Sequence, residues 1–588
     1  MPGSTVPVVL SSGNVHARKV RQQPYMSWKL VLAIYALRLF LCVTVRTVEA
    51  PDEWWQSTEV AYNMVFGKGH LPWEWHNGLR SVIFPGIVAI PFFILKVLGT
   101  DTAWSVWFAS RALQALILSS IDICVFNIGA SLDVLLAASR TERSTKGRET
   151  LRRRQSSTVS SVPGSGASFE RSQTHRVAHT ALMLSLGNWY MAYCGVRLYS
   201  NVLEALLVLL AMQQKRYIPF LLLSGLASAV RITSVVVIFP LLFVHIWRAV
   251  RKYGCVSGLL YITSYGALAL ALVLGITTSL DRLFYGHWVL TPLAFFRFNV
   301  SLNLSRFFGE HAWHFYIFPV LPFIVGPHIL FTFLAPFLLR RGTFGAAVRL
   351  HIYSTLGLCF WIVGIYSLID HKECRFIFTV LPLCLVIAAF VLSPRWYSKY
   401  CTVRRLHRIF LLLNVVGIYV MCYVFRRGPL DVMAEIRGGA PVGRLDIIAT
   451  CYTTPGYSYV HKKVDHLGHI DCSVRIDNVT GVPKVTEDVI FRRYPKDYVL
   501  WKYDGVHTFN MSDADERTKA TELREVVPPR SRPHPEALVM TRALAIKVKE
   551  AFLSKHRYRL YRSFLHSPLI LFPFEDNYIE LWVRAVDN

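Results

Sequence analysis

The chain has 588 residues, of which 53% are hydrophobic and only 17% are charged, with a mean hydropathy of +0.37. This balance excludes an ordinary soluble protein and predicts an all-α polytopic membrane protein. The formal net charge of +27 does not indicate nucleic-acid binding, because the Lys and Arg residues cluster in short loops between apolar runs.

The first apolar run, residues 30–45, follows a basic N-terminal tail, residues 1–29, that lacks a small-residue cleavage site. We expect this run to act as a signal anchor. Because basic residues precede it, the tail is predicted to be cytosolic and the loop 46–80 to be luminal.

Two adjacent acids, Asp52 and Glu53, begin an amphipathic stretch in the loop 46–80. We predict a helix in the membrane interface, with Trp54 and Trp55 at headgroup depth. Asp52 could simply cap this helix while Glu53 favours its dipole. A cap needs only one short polar side chain, and acids are rare at a membrane boundary unless they are used. The pair therefore predicts a catalytic carboxylate.

Apolar and basic segments alternate along residues 30–425 and predict about 10–12 spans, some of them short or broken. One of the two apolar segments in residues 81–137 is expected to be re-entrant or interfacial. The basic stretch 138–176 is predicted to be a disordered cytosolic insertion.

After residue 425 the composition becomes mixed, and residues 426–588 are expected to form a small luminal domain with β-like runs such as 499–503. Cys451 and Cys472 could pair in an oxidising lumen. Asn478 and Asn510 lie in glycosylation sequons. No Cys/His spacing and no glycine-rich phosphate loop is present in the sequence, so neither a metal nor a cofactor is predicted.

A second polar group, His371, Lys372 and Arg375, lies in a loop that the charge alternation assigns to the lumen. On a helical turn these side chains would share one face, and phosphate is the anion we expect there. Basic residues at a helix end can also extend to lipid headgroups. Arg297 and the histidines of another luminal loop, residues 281–312, are weaker candidates for substrate contact.

A luminal carboxylate and luminal cations in a multi-span protein indicate a reaction on an anionic, lipid-borne substrate. Glycosyl transfer from a lipid phosphate fits, because a carboxylate would deprotonate the acceptor hydroxyl and cations would stabilise the departing phosphate. A transporter or flippase with charges along its path is the competing class. We find no inverted repeat in the sequence to support a transporter.

The segments 51–57, 73–75 and 79–81 resemble the first luminal loop of the GPI mannosyltransferase III family. Residues 197–204 and 371–376 are similar to that family as well. The family belongs to the dolichyl-phosphate-mannose-dependent α-mannosyltransferases of the endoplasmic reticulum, which have the GT-C fold. This chain departs from the family pattern at Cys374, where a second histidine is usual.

The resemblance implies transfer of the third mannose, α1,2-linked, from dolichyl-phosphate mannose to a GPI-precursor glycolipid, with inversion and without a cofactor. It implies Asp52 as general base, with Glu53 second. Donor-phosphate binding is assigned to His371, Lys372, Arg375 and Arg297. Substrate contact is assigned to Gln56, Trp73, Glu74, Trp75, Arg80, Arg197, Asn201, Glu204, Arg231 and Tyr285. The alternative is a related mannosyltransferase for another GPI mannose or a dolichol-linked glycan. The sequence predicts no particular protein partner.

Overall fold

The computed structural model describes residues 26–154, 176–393, 400–440, 442–473, 485–505, 514–527, 534–568 and 576–585. The α-helices of the first part are α1 (Trp28–Thr44), α2 (Glu59–Phe66), α3 (Trp73–His76), α4 (Ile83–Val97), α5 (Ala103–Arg154), α6 (Arg176–Gly187), α7 (Trp189–Tyr193), α8 (Ser200–Met212), α9 (Tyr217–Val230), α10 (Ser234–Tyr253), α11 (Cys255–Tyr285), α12 (Thr291–Phe296), α13 (Leu321–Val325), α14 (Ile329–Arg341), α15 (Ala346–Ser367), α16 (Val380–Val391) and α17 (Cys401–Tyr419).

The second part combines helices with short strands, as the mixed composition predicts. Its elements are α18 (Gly428–Gly438), β1 (Arg444–Ile448), α19 (Tyr457–Val460), β2 (His466–Gly468), α20 (Glu487–Arg493), α21 (Pro495–Asp504), α22 (Ala514–Val526), β3 (Ala537–Thr541), α23 (Arg542–Val548), β4 (Tyr558–Leu565) and β5 (Tyr578–Arg584).

Membrane-spanning helices dominate the first part and confirm the predicted class of polytopic helical membrane protein. Within the described residues, six segments are long and apolar enough to cross a membrane: Ala103–Thr141, Ser234–Tyr253, Cys255–Tyr285, Trp313–Arg341, Ala346–Ser367 and Cys401–Val424. The helices α4, α8, α9 and α16 are apolar but have only 12 to 15 residues. At about 1.5 Å per residue they are shorter than a hydrocarbon core of about 30 Å.

The long helix α5 is central to the module and contacts α1, α4, α6 and α8. Its Asp122 accepts a hydrogen bond from Arg38 Nε of α1 at 2.7 Å, and both side chains are fully buried. Ser185 of α6 donates to the same carboxylate at 2.7 Å. Two charges can remain in such an apolar interior because each satisfies the other, so this pair fixes the relative positions of α1, α5 and α6.

The basic stretch 138–176 differs from its prediction. The helix α5 continues to Arg154, so the expected disorder is wrong for residues 138–154. These residues are rich in Arg, which has high helix propensity, and extending an existing helix avoids the cost of starting one. Residues 155–175 lie outside the described residues.

A five-stranded mixed sheet organises the second part, in the order β2-β1-β3-β5-β4. The strand β1 is parallel to β2 and β3, whereas β5 is antiparallel to β3 and β4. Successive residues of β3 point to opposite faces. Val539 packs into the main core and Leu538 into a second core with α20, α21 and α23. The sheet therefore separates the membrane module from a helical outer layer.

The predicted β-like run 499–503 is wrong, because these residues belong to α21. Pro495 occupies the first turn and Gly505 ends the helix with a φ of 68°, as is typical of helix termini. Cys451 and Cys472 are joined by a disulfide that links the segment after β1 to the segment after β2. The sequon residues Asn478 and Asn510 lie outside the described residues.

Candidate active site

The helix that carries the predicted catalytic acids is enclosed by protein. It begins at Asp52, passes through the π-helical turn Trp54–Thr58 and ends with α2 at Gly67. Trp54 and Trp55 are each only 3% exposed. The Trp55 indole N–H donates to the Thr454 carbonyl oxygen at 3.1 Å. Both tryptophans therefore pack against the second part of the chain and are shielded from lipid headgroups, while their depth in the membrane stays a prediction.

Asp52 is the accessible member of the acid pair, with 29% of its side chain exposed. Its Oδ2 accepts a hydrogen bond from Arg375 Nη2 at 2.5 Å. Within the described residues its side chain accepts no capping hydrogen bond from the helix. Helix capping thus does not account for this aspartate, whereas the ion pair joins it to the predicted cationic loop.

Glu53 lies in the interior, with 1% of its side chain exposed. Its two oxygens accept from Arg111 Nη1 at 3.1 Å and from Arg197 Nη1 at 2.7 Å. Arg197 also donates to the Thr47 carbonyl oxygen at 2.6 Å. A carboxylate enclosed by two guanidinium groups is well placed to hold the loop together and poorly placed to reach a substrate.

The loop that carries Arg375 is built around Glu373, which the sequence reasoning did not select. Its carboxylate is 3.2 Å from His371 Nε2 and 2.6 Å from Arg375 Nη2. Burial by itself would raise the pKa of Glu373, but the two cations lower it to about 2. His371 keeps a raised pKa, because Glu373 outweighs the lowering effect of burial. The sequence does contain a signal for this acid, since Glu373 stands between His371 and Arg375.

The predicted helical turn with three cations on one face is wrong. Residues 370–373 are not helical, and a 3₁₀ turn begins only at Cys374. Lys372 is buried and its Nζ donates to the His311 carbonyl oxygen at 2.7 Å. Lys372 therefore binds a backbone carbonyl of the neighbouring loop and does not share an anion site with Arg375.

Arg375 is buried and only partly satisfied by the protein. Its guanidinium lies over the Tyr199 ring, 4.7 Å from the centroid. Its Nε and Nη1 atoms have no hydrogen-bond partner among the described residues. A buried guanidinium with unused donors is a strong binding group for an anion, because its own desolvation has already been incurred.

A third polar group, Gln56, Glu74 and Arg80, lies near this pair. Arg80 Nε donates to Glu74 Oε2 at 2.8 Å, and Gln56 Nε2 lies 3.5 Å from Glu74 Oε1. Burial lowers the pKa of Arg80, but the carboxylates of Glu74 and Asp52 raise it more. The Tyr285 hydroxyl donates to the Arg80 carbonyl oxygen at 2.7 Å. Tyr285 therefore supports Arg80 through the backbone.

The residues predicted around 197–231 form a supporting group behind the loop. Arg231 lies 3.0 Å from Glu204 and donates to Asn201 Oδ1 at 3.4 Å. Its guanidinium also faces the ring of Phe376, 5.6 Å from the centroid. This cluster connects α8 and α9 to the turn that carries Arg375.

Trp73, Trp75 and Arg297 do not join the Asp52 group. Trp73 packs at 5.4 Å from the ring of Phe298, and with Arg297 it lines a separate cavity of about 400 Å³. Trp75 is 2% exposed and contacts Phe284 at 5.8 Å between ring centroids. Its role in the structure is packing, which its position beside Glu74 in the sequence does not reveal.

Glu49 is a further acid that the sequence reasoning did not select. Its Oε1 accepts from the Tyr190 hydroxyl at 3.1 Å. Its Oε2 has no hydrogen-bond partner among the described residues and is 3.8 Å from Arg197 Nε. Burial raises the pKa of Glu49. Its proximity to Asp52 in the sequence was the only available signal.

One cluster in the described residues has the composition of a metal site. Asp504, His534 and His556 each offer a ligand atom, all within 4.8 Å of one another. Asp504 is already paired with His556 at 2.6 Å and with Lys555 at 2.8 Å. The cluster belongs to the second part of the chain, and the group around Asp52 has no comparable arrangement among the described residues.

The helix that carries Asp52 is attached to the second part of the chain through Glu59. The Glu59 carboxylate is buried and accepts hydrogen bonds from the Gly456 N–H at 2.9 Å and from the Ser458 N–H at 3.1 Å. A Cβ atom at Gly456 would lie 2.7 Å from Glu59 Oε2, so glycine permits the close approach. Burial raises the pKa of Glu59 to about 7, against the opposing effect of the hydrogen bonds.

This raised pKa predicts a pH-dependent attachment. The pKa of Glu59 in the folded chain lies above its ordinary value of 4.5, so the protonated side chain stabilises the fold. This stabilisation is complete below pH 4.5 and is lost as the pH rises through about 7. We expect the wild-type midpoint of thermal unfolding to fall more steeply than that of Glu59→Gln between about pH 5 and about pH 8. Parallel curves would contradict the assignment.

Comparisons with known proteins agree with these features. Residues 29–461 match the model of the Alg9-like mannosyltransferase family. A protein of Trypanosoma brucei brucei named GPI mannosyltransferase 3 is 60% identical over 563 residues, which are 95% of this chain and 100% of that protein. The Mus musculus protein named GPI alpha-1,2-mannosyltransferase 3 is 31% identical over 77% of this chain and 78% of its own length.

A solved structure, ArnT from Cupriavidus metallidurans bound to undecaprenyl phosphate, overlaps 94% of this chain and 97% of its own. The TM-score is 0.47 and the identity 12%, a likeness too weak to support an argument. The family match and the two relatives confirm the predicted resemblance. The chain belongs to the Alg9-like mannosyltransferase family, with the GPI mannosyltransferase 3 proteins among its relatives, and is a membrane-bound glycosyltransferase.

Proposed function

We propose that this mannosyltransferase transfers the third mannose, α1,2-linked, from dolichyl-phosphate mannose to a GPI-precursor glycolipid. The names of the relatives at 60% and 31% identity support this acceptor class. The observation that carries the mechanism is the pairing of one accessible carboxylate, Asp52, with one buried guanidinium, Arg375, that has unused donors. Such a pair supplies both a base and an anion-binding group.

Asp52 accepts the proton of the attacking acceptor hydroxyl in this mechanism. The acceptor oxygen forms a bond to the anomeric carbon of the mannose as the bond from that carbon to the phosphate oxygen breaks. Arg375 donates to the developing phosphate charge, and dolichyl phosphate leaves. A β-linked donor and an α-linked product require inversion, so one base is sufficient and no covalent intermediate forms.

The ion pair between Asp52 and Arg375 also gives an order of events. In the free enzyme Arg375 is shared between Asp52 and Glu373. A donor phosphate that engages the guanidinium competes with both carboxylates. Binding of the donor therefore releases Asp52 from its cation and makes it available to the acceptor hydroxyl.

The remaining predicted residues take positioning or binding roles in this proposal. Glu53 and Arg197 hold the loop behind Asp52, and Lys372 holds the loop of Arg375 to its neighbour. His371 orients Glu373, while Arg231 supports the same turn through Phe376. Gln56, Glu74 and Arg80 are left to bind acceptor hydroxyls near Asp52. Arg297 is assigned to its own cavity and not to the donor phosphate.

The topology belongs to the same proposal. Residues 1–29 form the cytosolic tail, residues 30–425 the catalytic membrane module and residues 426–588 the luminal domain. The Asp52 group then faces the lumen of the endoplasmic reticulum, in the layer where both lipid-linked substrates present their phosphates. The disulfide between Cys451 and Cys472 is consistent with an oxidising compartment.

Arg375→Ala is expected to impair donor use more than acceptor use. Removal of one positioned donor to a developing negative charge typically lowers kcat about 10²–10³-fold. Arg444, 40% exposed and paired with Glu536 at 3.3 Å, offers a matched control, Arg444→Ala. Steady-state kinetics with each substrate varied in turn would measure the effect. An equal rise in KM for both substrates, or an unchanged KM for the donor, would contradict the donor-phosphate role.

Cells that lack this chain test the proposed acceptor directly. We expect a GPI precursor with two mannoses to accumulate, and we expect the wild-type chain but not Asp52→Asn to restore its elongation. Truncated dolichol-linked oligosaccharides would instead support the related mannosyltransferase as the alternative. Normal levels of both glycolipids would contradict the proposal.

A further inference from the structure

A second and larger cavity, of about 740 Å³, is lined by arginines and aromatic rings. Its walls come from the end of α1, the start of α5, the helix α18 and the strand β4. We name it the arginine cavity, after its lining residues Arg46, Arg427, Arg437 and Arg562. None of the residues proposed to act on the donor or the acceptor hydroxyl lines this cavity.

Arg437 is the most buried cation of the arginine cavity, with an exposed fraction of 5%. Its guanidinium lies 4.1 Å from the ring centroid of Trp104, 4.3 Å from that of Trp107 and 4.4 Å from that of Tyr459. The three rings make cation–π contacts with the guanidinium of Arg437. Within the part of the chain that the structure describes, the Nε and Nη1 atoms of Arg437 have no hydrogen-bond partner. A buried donor without an acceptor is destabilising, so the aromatic cage alone leaves this arginine incompletely satisfied.

The other cations leave the arginine cavity with an excess of positive charge. Arg427 pairs with Asp431 at 2.6 Å, and Arg562 pairs with Glu435 at 2.7 Å. Arg46 is exposed, and its side chain makes no hydrogen bond or ion pair with the described residues. Arg46 and Arg437 therefore both lack a carboxylate partner. Two uncompensated guanidinium groups at one cavity favour a phosphate over a carbohydrate or an apolar chain.

The position of the arginine cavity indicates a phosphate that is attached to a lipid. The cavity lies at the C-terminal end of α1 and at the N-terminal end of the span Ala103–Thr141. Trp104 is 57% exposed beside it, as is typical of tryptophans at headgroup depth. Lipid phosphates occupy this layer of a bilayer.

The cavity is also close enough to Asp52 to serve the same substrate. Arg46 and Asp52 are six residues apart in the chain, so their Cα atoms lie at most about 20 Å apart. A short oligosaccharide can bridge a distance of this order. A ligand whose phosphate lies in the cavity could therefore present its distal sugar to Asp52.

We propose that the arginine cavity binds the phosphodiester that joins the acceptor glycan to its lipid, with Arg437 and Arg46 as its binding groups. This inference rests on the proposed function, in which the acceptor is a GPI-precursor glycolipid. An anionic membrane phospholipid carries the same phosphodiester, and the experiment must separate the two sources. Binding the acceptor by its phosphate would anchor the glycan at a fixed height while its terminal mannose enters the site.

The test compares two acceptors in the full-length enzyme in nanodiscs: a dimannosyl glycolipid with its phosphodiester, and an uncharged alkyl glycoside of the same glycan. Arg437→Met and the exposed Arg46→Ala should each raise KM for the phosphodiester acceptor about tenfold, with little change in kcat. Neither substitution should alter KM for the uncharged glycoside. The control is Arg444→Ala. Arg444 lies in β1, outside the cavity, and its ion pair with Glu536 at 3.3 Å is lost in this variant.

The lipid composition of the nanodisc distinguishes the two possible ligands, the acceptor glycolipid and an anionic membrane phospholipid. Phosphatidylinositol added to phosphatidylcholine should compete with the phosphodiester acceptor and raise only its KM. An effect of phosphatidylinositol on both acceptors, abolished in Arg437→Met, would overturn the acceptor assignment in favour of a membrane lipid.

The inference and the proposed function fail in different ways. An unchanged KM in both arginine variants, or equal changes for both acceptors, would overturn the role of the cavity while transfer by the wild type still supports the function. Wild-type enzyme that transfers mannose to neither acceptor would contradict the function itself. Because Arg46 is exposed, its variant keeps the test decisive if Arg437→Met fails to fold.

Discussion

Asp52→Asn should lower mannosyl transfer by about 10³-fold while the chain remains folded, because removal of a general base typically costs 10²–10⁴-fold. Asparagine keeps the size of the side chain and can still accept a hydrogen bond from Arg375, but it cannot accept the proton of the acceptor hydroxyl. The loss should therefore appear in kcat, with small changes in KM. Transfer in microsomes, normalised to the amount of chain, measures it.

The exposed acid Glu550 offers a matched control for this substitution. Glu550→Gln also replaces a carboxylate with an amide and should leave transfer unchanged. Raising the pH should not restore activity to Asp52→Asn, because an amide does not gain a proton-accepting form. Undiminished transfer by Asp52→Asn would remove Asp52 from the mechanism.

Glu53→Gln should destabilise the fold by about 3–5 kcal/mol, the usual cost of breaking a buried ion pair. The substitution leaves Arg111 without a counter-ion among the described residues and leaves Arg197 with only Glu49, 3.8 Å away, at positions where both arginines are 5% exposed or less. We expect a lower yield and a lower midpoint of thermal unfolding in detergent. The fraction that does fold should keep much of its specific activity, because Asp52 is still present.

The exposed pair of Arg306 and Glu310 provides the comparison, since each side chain is 51% exposed. Glu310→Gln should leave the midpoint of thermal unfolding almost unchanged, as solvent screens such pairs. A Glu53→Gln enzyme that is stable but inactive would contradict our assignment. It would make Glu53, and not Asp52, the base.

The sequence was sufficient to bring the two halves of the candidate site together. The acids at 52–53 and the cations at 371–375 were assigned to the same face from charge alternation alone, and the structure joins Asp52 to Arg375 across 323 residues. The sequence could not show which of the two adjacent acids, Asp52 or Glu53, is accessible to a substrate. Their difference arises from Arg111 and Arg197, which lie 58 and 144 residues away from Glu53.

Local pattern also fails where long-range contacts determine the conformation. Lys372 and Arg375 look equivalent in sequence, but a carbonyl oxygen at His311 engages the lysine and not the arginine. The sheet is a second case, because the parallel neighbours β1 and β3 are separated by about 90 residues of mixed composition and no short turn signals their pairing. The strand prediction for residues 499–503 is wrong because a short, mostly apolar run fits a helix as well as a strand.

The attachment through Glu59 predicts where in the gene inactivating mutations should occur. The helix that presents Asp52 is held by backbone donors at Gly456 and Ser458, almost 400 residues later in the chain. A premature stop after residue 425 would leave each proposed catalytic side chain encoded and still remove the support of the base. Inactivating alleles should therefore map to the region of Gly456 as readily as to the acids themselves.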